Sequence, residues 1–161
     1  VKDAFEGTVW LWHQDYGYHY REFFYPDFVS VMVALDPATR ENGCLRVVRG
    51  SNRLGRLEHR SSGSQLIADP ERVEVALREM EEIYCEMAPG SVLYFHGNTL
   101  HASHPNLSLQ PRWALIFAYA TASNIIMLPD ARDDLLTHFD KWDDAEVAAA
   151  AKRHREAVQV V

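Results

Sequence analysis

Cysteine is scarce in this 161-residue chain: the two present, Cys44 and Cys85, fit buried thiols of a reducing compartment, the cytoplasm, better than a disulfide framework. Long apolar runs are absent too. None approaches the roughly 20 residues that span a bilayer, and the start lacks a basic segment followed by an apolar stretch, so no membrane partner is expected. Positive charge is in short supply, with 16 Lys and Arg against 23 Asp and Glu. The formal charge of -7 argues against a duplex-binding surface, and nucleic acid is not an expected partner. There is no internal repeat and no low-complexity tract. What remains is 47% apolar and 24% charged, ordinary for a soluble globular protein and long enough for one domain with a real core.

Strand-like pieces dominate up to about residue 121. Thr8 to His13 is aromatic and β-branched, and after a polar-aromatic loop through Pro26 the continuous apolar run Phe28 to Leu35 suits a buried strand. Turn signals at Asp36-Pro37 and Asn42-Gly43 precede a strand over Cys44 to Val48. Gly50 to Ser64 is polar and glycine-rich and reads as a long loop near the mouth of a barrel. Asp69 as N-cap and Pro70 in the first turn open a helix to about Glu82. Ile83 to Met87, Ser91 to Phe95, Leu100 to Ser103 and Trp113 to Tyr119 supply further strands. From about Pro129 the tail turns helical, alanine-rich over Ala145 to Ala157. Seven or eight short strands with a helical insert and a helical tail suit a mainly β fold, a jelly-roll or cupin-type barrel.

Four polar residues stand out against this background: His13, Asp15, His101 and Arg112. Side chains two apart on a strand share a face, so His13 and Asp15 are expected to grip one ion together. An imidazole and a carboxylate suit Fe(II), and a second histidine completes a facial triad with open positions. His101 is the best candidate, with His96 and His104 as nearby rivals. Beyond it lie Ser103, the turn-rich segment 105–111 and Arg112 at the head of a strand. If 105–111 connects a hairpin, Ser103 and Arg112 lie almost opposite each other. A guanidinium offers a flat fork of donors to a carboxylate, and the hydroxyl adds one more. That makes a seat for the far carboxylate of 2-oxoglutarate.

The segments His13-Gln14-Asp15-Tyr16-Gly17-Tyr18, Arg40-Glu41-Asn42-Gly43-Cys44-Leu45 and Phe95 through Ser108 resemble the phytanoyl-CoA dioxygenase family, which includes ectoine hydroxylase. The resemblance covers most of residues 8 to 121, and its motifs are specific as a set although His-x-Asp alone is weak. It implies a double-stranded β-helix enzyme using non-haem Fe(II), 2-oxoglutarate and O2. By the same resemblance the iron ligands fall on His13, Asp15 and His101, the cosubstrate arginine on Arg112 and the neighbouring hydroxyl on Ser103. The implied chemistry is hydroxylation of a C–H bond in a small-molecule substrate, with decarboxylation of 2-oxoglutarate to succinate and carbon dioxide. Related halogenases replace the carboxylate by a small residue, so Asp15 predicts hydroxylation. Family members usually carry a substantial segment before the His-x-Asp strand, whereas twelve residues precede His13 here. The chain is therefore expected to be an incomplete catalytic core, 1–161, with a barrel over about 8–121, a helical tail over about 129–161, and the family's N-terminal segment missing.

Two other readings compete: a non-catalytic barrel serving as a binding module, and a cupin-like metalloenzyme that does not use 2-oxoglutarate. Intact ligands speak against the first, and the Arg112 and Ser103 pair against the second. His96 reads as a residue supporting the ligands from behind or as pocket wall. Tyr16, Tyr18, His19 and Tyr20 follow the metal strand and either line a substrate pocket or pack. His19, His59, His138 and His154 have no paired ligand spacing and read as solvent or loop residues. Asp143-Asp144 and the acidic run 79–82 read as solvated faces, and Asp130, Asp133 and Asp134 receive no catalytic role.

Overall fold

Turn-forming residues cut the first part of the chain into short β-branched and aromatic runs, and these become nine strands among the residues described by the computed structural model, 1–5, 8–128 and 142–158. One antiparallel sheet has the order β1 (Trp10–His13), β8 (His101–Ser103), β3 (Leu45–Val48), β6 (Glu82–Cys85). The second has the order β7 (Val92–His96), β2 (Phe28–Ala34), β9 (Ala114–Ala120). Neighbouring strands come from distant parts of the chain, and the fold is mainly β, a double-stranded β-helix. The apolar run that begins at Phe28 is the central strand β2, hydrogen-bonded on both edges, with five of its seven residues buried.

Three expectations are corrected. Gly50 to Ser64 is not one long loop: a 3-10 turn over Ser51–Leu54 leads into the hairpin of β4 (His59–Ser62) and β5 (Gln65–Ala68). Its two-residue turn begins at Gly63, φ +61°, the left-handed conformation that glycine adopts without steric cost. The hairpin meets β1 through Gln65, whose Nε2 donates to Val9 O at 2.8 Å while its Oε1 accepts the Leu11 N–H at 3.0 Å. Residues 105–111 are not a hairpin connection either, because β8 and β9 belong to different sheets. Arg112 pairs instead with Lys2 in an isolated bridge, N–H to O at 2.8 and 2.9 Å. Finally, helix α2 (Pro70–Glu79) ends earlier than expected, since Met80 is extended and Glu82 already begins β6. Its start is as expected, Asp69 Oδ1 accepting the Arg72 N–H at 3.0 Å.

Val48, Leu57, Ala68, Val73, Ala76 and Leu100 form the core cluster that joins β3, the hairpin and α2, with Trp12, Leu77 and Met80 packed against it. The chain divides into two units, Val1–Leu128 with all nine strands, and Pro129–Val161. In the second unit α3 (Asp144–Val158) is helical as the alanine-rich composition predicts. Asp143 is more than a solvated charge there: its Oδ1 accepts the Glu146 N–H and Glu146 Oε2 accepts the Asp143 N–H, both at 2.8 Å, a reciprocal cap. Asp130, Asp133, Asp134 and His138 lie outside the described residues. Among the described residues no helix is long and apolar enough to cross a membrane.

Leu100 is completely buried, so Leu100→Ala is expected to cost about 2–5 kcal/mol. Removing the exposed α2 cap with Asp69→Ala is expected to cost about 1 kcal/mol. Urea unfolding midpoints at unchanged slope check both values and their order.

Candidate active site

Antiparallel pairing of β1 with β8 sets His13 opposite His101, with ring centroids 4.1 Å apart. Both rings are locally anchored, His13 Nδ1 to Leu11 O at 2.6 Å and His101 Nδ1 to Thr99 O at 2.9 Å. A ring whose Nδ1–H donates to a carbonyl keeps its Nε2 lone pair free for a metal. Asp15 does not share a strand face with His13, as the strand reading expects. β1 ends at His13, and Asp15 is the first residue of α1 (Asp15–His19), so the break at Gln14 turns the carboxylate back toward the imidazoles. Asp15 Oδ1 lies 3.8 Å from His13 Nε2 and 3.4 Å from His101 Nε2, and the ligand atoms of the three residues all lie within 4.8 Å of one another. Atoms each about 2.1 Å from one ion at right angles stand about 3 Å apart, so this trio fits a divalent cation after a small inward shift.

Electrostatics agree with that fit. Burial, then the neighbouring His101, brings the His13 pKa down to about 4, so its imidazole is neutral and able to ligate at pH 7. Burial alone would raise the Asp15 carboxyl, but hydrogen bonding to His101, the His101 charge, the Ser30 hydroxyl and His13 outweigh it and hold the pKa at about 2. A carboxylate with two imidazole nitrogens is the donor set of a facial triad.

The trio opens into a cavity of about 350 Å³ whose other polar wall is Lys2, Ser103 and Arg112. Lys2 is 5% exposed, its ammonium donating to the carbonyls of Thr8 and His104. Arg112, also 5% exposed, donates from Nε to Asn42 O at 3.2 Å and from Nη2 to Gly43 O at 3.1 Å. Among the described residues neither cation has a carboxylate partner. Burial, with Arg112 adding repulsion, lowers the Lys2 pKa to about 8. Trp10, Met32, Leu45, Phe95 and Ile116 supply the apolar wall. A larger cavity, about 710 Å³ between α2 and residues 54–58, brings together no set of metal ligands.

Sequence reasoning thus finds five residues that the fold gathers in one cavity, and misses others. Lys2 carries no local signal, because its neighbour Arg112 is distant in sequence. Tyr18 and His19 line the cavity, Tyr18 edge-on to His13 at 5.5 Å, whereas Tyr16 is packed beneath Phe28 and Tyr20 lies outside under Arg56. His96 is not pocket wall. It is exposed at the end of β7, its Nδ1 accepting the Asn98 N–H at 3.0 Å. His104 is exposed beside Tyr84 and Arg46, and His154 is exposed on α3. His59 is no loop residue: it is half-buried on β4 and accepts the Gln14 N–H at Nε2, 3.0 Å away.

The double-stranded β-helix fold carries, at one cavity, a carboxylate and two imidazoles that could hold a metal ion together. The sequence profile of phytanoyl-CoA dioxygenase (PhyH) matches residues 1–114, and the chain belongs to that family. It is 30% identical over 141 residues to L-proline trans-4-hydroxylase of Streptomyces griseoviridis, covering 77% of this chain and 53% of that protein. It is 34% identical over 145 residues to ectoine dioxygenase of Halomonas elongata, covering 81% of this chain and 43% of that protein. The crystal structure of EctD from S. alaskensis with bound Fe superimposes with a TM-score of 0.66 at 26% identity, over 78% of this chain and 43% of that one. The same protein with 2-oxoglutarate and 5-hydroxyectoine gives 0.64. The chain spans about half the length of the curated relatives it matches.

Gly43 has φ +72°, and a Cβ there would strike the carbonyls of His104 and Pro105. Because its own carbonyl anchors Arg112, Gly43→Ala is expected to destabilise the fold by about 1–3 kcal/mol. Urea unfolding checks the cost.

Proposed function

We propose that this chain is the catalytic core of an Fe(II)- and 2-oxoglutarate-dependent hydroxylase acting on a small molecule, with His13, Asp15 and His101 as the iron ligands and Lys2, Ser103 and Arg112 as the cosubstrate seat. The observation that carries the reading is that one cavity contains both a three-ligand cluster and two buried cations with no acidic partner among the described residues. Buried charge is costly unless paired, so Lys2 and Arg112 call for an anion, and a dicarboxylate spans from that seat to the metal. When bound, iron, 2-oxoglutarate and O2 would supply the oxidative chemistry, one oxygen atom entering succinate as carbon dioxide leaves and the other entering the substrate C–H bond.

The chain's own residues bind and orient. His13 and His101 turn Nε2 toward Asp15, their Nδ1 atoms being held by Leu11 O and Thr99 O. Asp15 contributes the anionic ligand, steadied by the Ser30 hydroxyl. Arg112, held by two backbone carbonyls, directs its remaining donors to the ligand's far carboxylate, and the apolar wall excludes water from the reacting end. The retained carboxylate at Asp15 supports hydroxylation. The proline and ectoine named for the relatives support a small polar substrate; Tyr18 and His19 are the residues placed to touch it. A non-catalytic barrel would have no need of an intact trio, and a metalloenzyme without 2-oxoglutarate would have no need of two buried cations.

Anaerobic titration of the Fe(II)-loaded protein with 2-oxoglutarate is expected to give the visible charge-transfer absorption of the chelate, and Asp15→Ala to abolish it. Folded, iron-loaded protein without the band would overturn the proposal. Arg112→Ala is expected to weaken 2-oxoglutarate far more than iron, whereas equal loss of both would remove the assigned role. The Lys2 pKa of about 8 adds a pH signature. A carboxylate beside Lys2 raises that pKa, so binding at pH 8.5 takes up protons, while at pH 6.5 the ammonium is already protonated and uptake vanishes. Affinity therefore falls as pH rises past about 8. Calorimetry in two buffers of different ionisation enthalpy measures the uptake.

A further inference from the structure

Asp15 reaches the two imidazoles only because the chain switches from strand to helix between His13 and Asp15. Helix α1 is five residues long and has no side-chain cap hydrogen bond, so it does not define that switch by itself. The switch residue is Gln14, extended at φ -121°, ψ 137° and fully buried. Its Nε2 donates to Gly55 O at 2.8 Å and Asn98 O at 2.7 Å, and its Oε1 accepts the Leu57 N–H at 2.7 Å. Its backbone N–H donates to His59 Nε2 at 3.0 Å, and His59 Nδ1 donates to Leu57 O at 2.9 Å. These bonds close a ring from the Gln14 side chain through Leu57 and His59 back to the Gln14 backbone. Both His59 nitrogens are committed, one as donor and one as acceptor, so the ring also determines its tautomer.

We propose that Gln14 and His59 are the positioning residues of the metal centre, their hydrogen-bonded ring through Leu57 holding the strand-to-helix break that sets Asp15 against His13 and His101. This rests on the reading of that trio as metal ligands. Neither residue lines the cavity. They act on the direction of the peptide between two ligands, and partners of this kind typically tune metal affinity by 10- to 100-fold.

The test is Co(II) titration of the metal-free full chain, followed by its visible ligand-field spectrum, with thermal melting run first to show that each variant is folded. His59→Phe keeps a ring but offers Gln14 no acceptor, and is expected to weaken Co(II) by about tenfold or more. His59→Gln returns an oxygen near the Nε2 position and is expected to restore affinity to within about threefold. A merely structural role would shift the melting temperature and leave the folded protein's Co(II) affinity unchanged. Gly17→Ala approaches from the other side: the added methyl would run into the His59 imidazole while removing no hydrogen-bonding group, and alanine favours the helix. It is expected to weaken Co(II) as His59→Phe does, and it carries the test if His59→Phe does not fold. Parent-like affinity in folded His59→Phe or Gly17→Ala, or equal weakening in His59→Phe and His59→Gln, would overturn the proposal alone. A parent protein that binds no Co(II) would overturn the metal-centre reading and this inference with it.

Discussion

The site depends on the register between β1 and β8. These strands come from opposite ends of the barrel sequence, and their antiparallel pairing places His13 across from His101 at the mouth of one cavity. Strand side chains alternate between faces, so a slip of one residue would turn an imidazole out of the cavity and break up the trio. The same local device then orients the rings: His13, His59 and His101 each bond through Nδ1 to the carbonyl two residues earlier. Each is held by its own stretch of chain, and the sheet needs only to bring those stretches together.

Around that register the cavity is arranged by charge. Asp15 and the two imidazoles make one end attractive to a dication, and Lys2 with Arg112 makes the other attractive to an anion. Apolar residues from β1, β2, β3, β7 and β9 surround these groups, lowering the local dielectric and strengthening both attractions. Like charges held together in a buried place raise the free energy of the empty cavity, and a ligand of complementary charge relieves it.

Much of this was legible from residue type. Continuous apolar composition marked β2, Asp69-Pro70 marked the start of α2, and His13, Asp15, His101, Ser103 and Arg112 were named as a set. Other features were not. The β4–β5 hairpin was hidden because β4, His-Arg-Ser-Ser, is polar throughout and β5 is only four residues long, although the Gly63-Ser64 pair was a turn signal. The expected strand pairing of His13 with Asp15 and the expected hairpin over 105–111 both failed for one reason. Periodicity within a segment describes an ideal element and does not report where a helix interrupts it or where the chain crosses to another sheet.

The amino-acid sequence by itself determined which chemistries were available: the nitrogen and oxygen ligands, the guanidinium, the buried apolar strands and the turn residues between them. Those are properties of residue types and short spacings. Only the tertiary structure decided that Asp15 reaches the imidazoles from a helix, that Lys2 stands beside Arg112, and that Gln14 and His59 are hydrogen-bonded at the break between His13 and Asp15. These relations join residues tens of positions apart through backbone carbonyls and amide hydrogens, groups that every residue carries and that leave no mark in residue type.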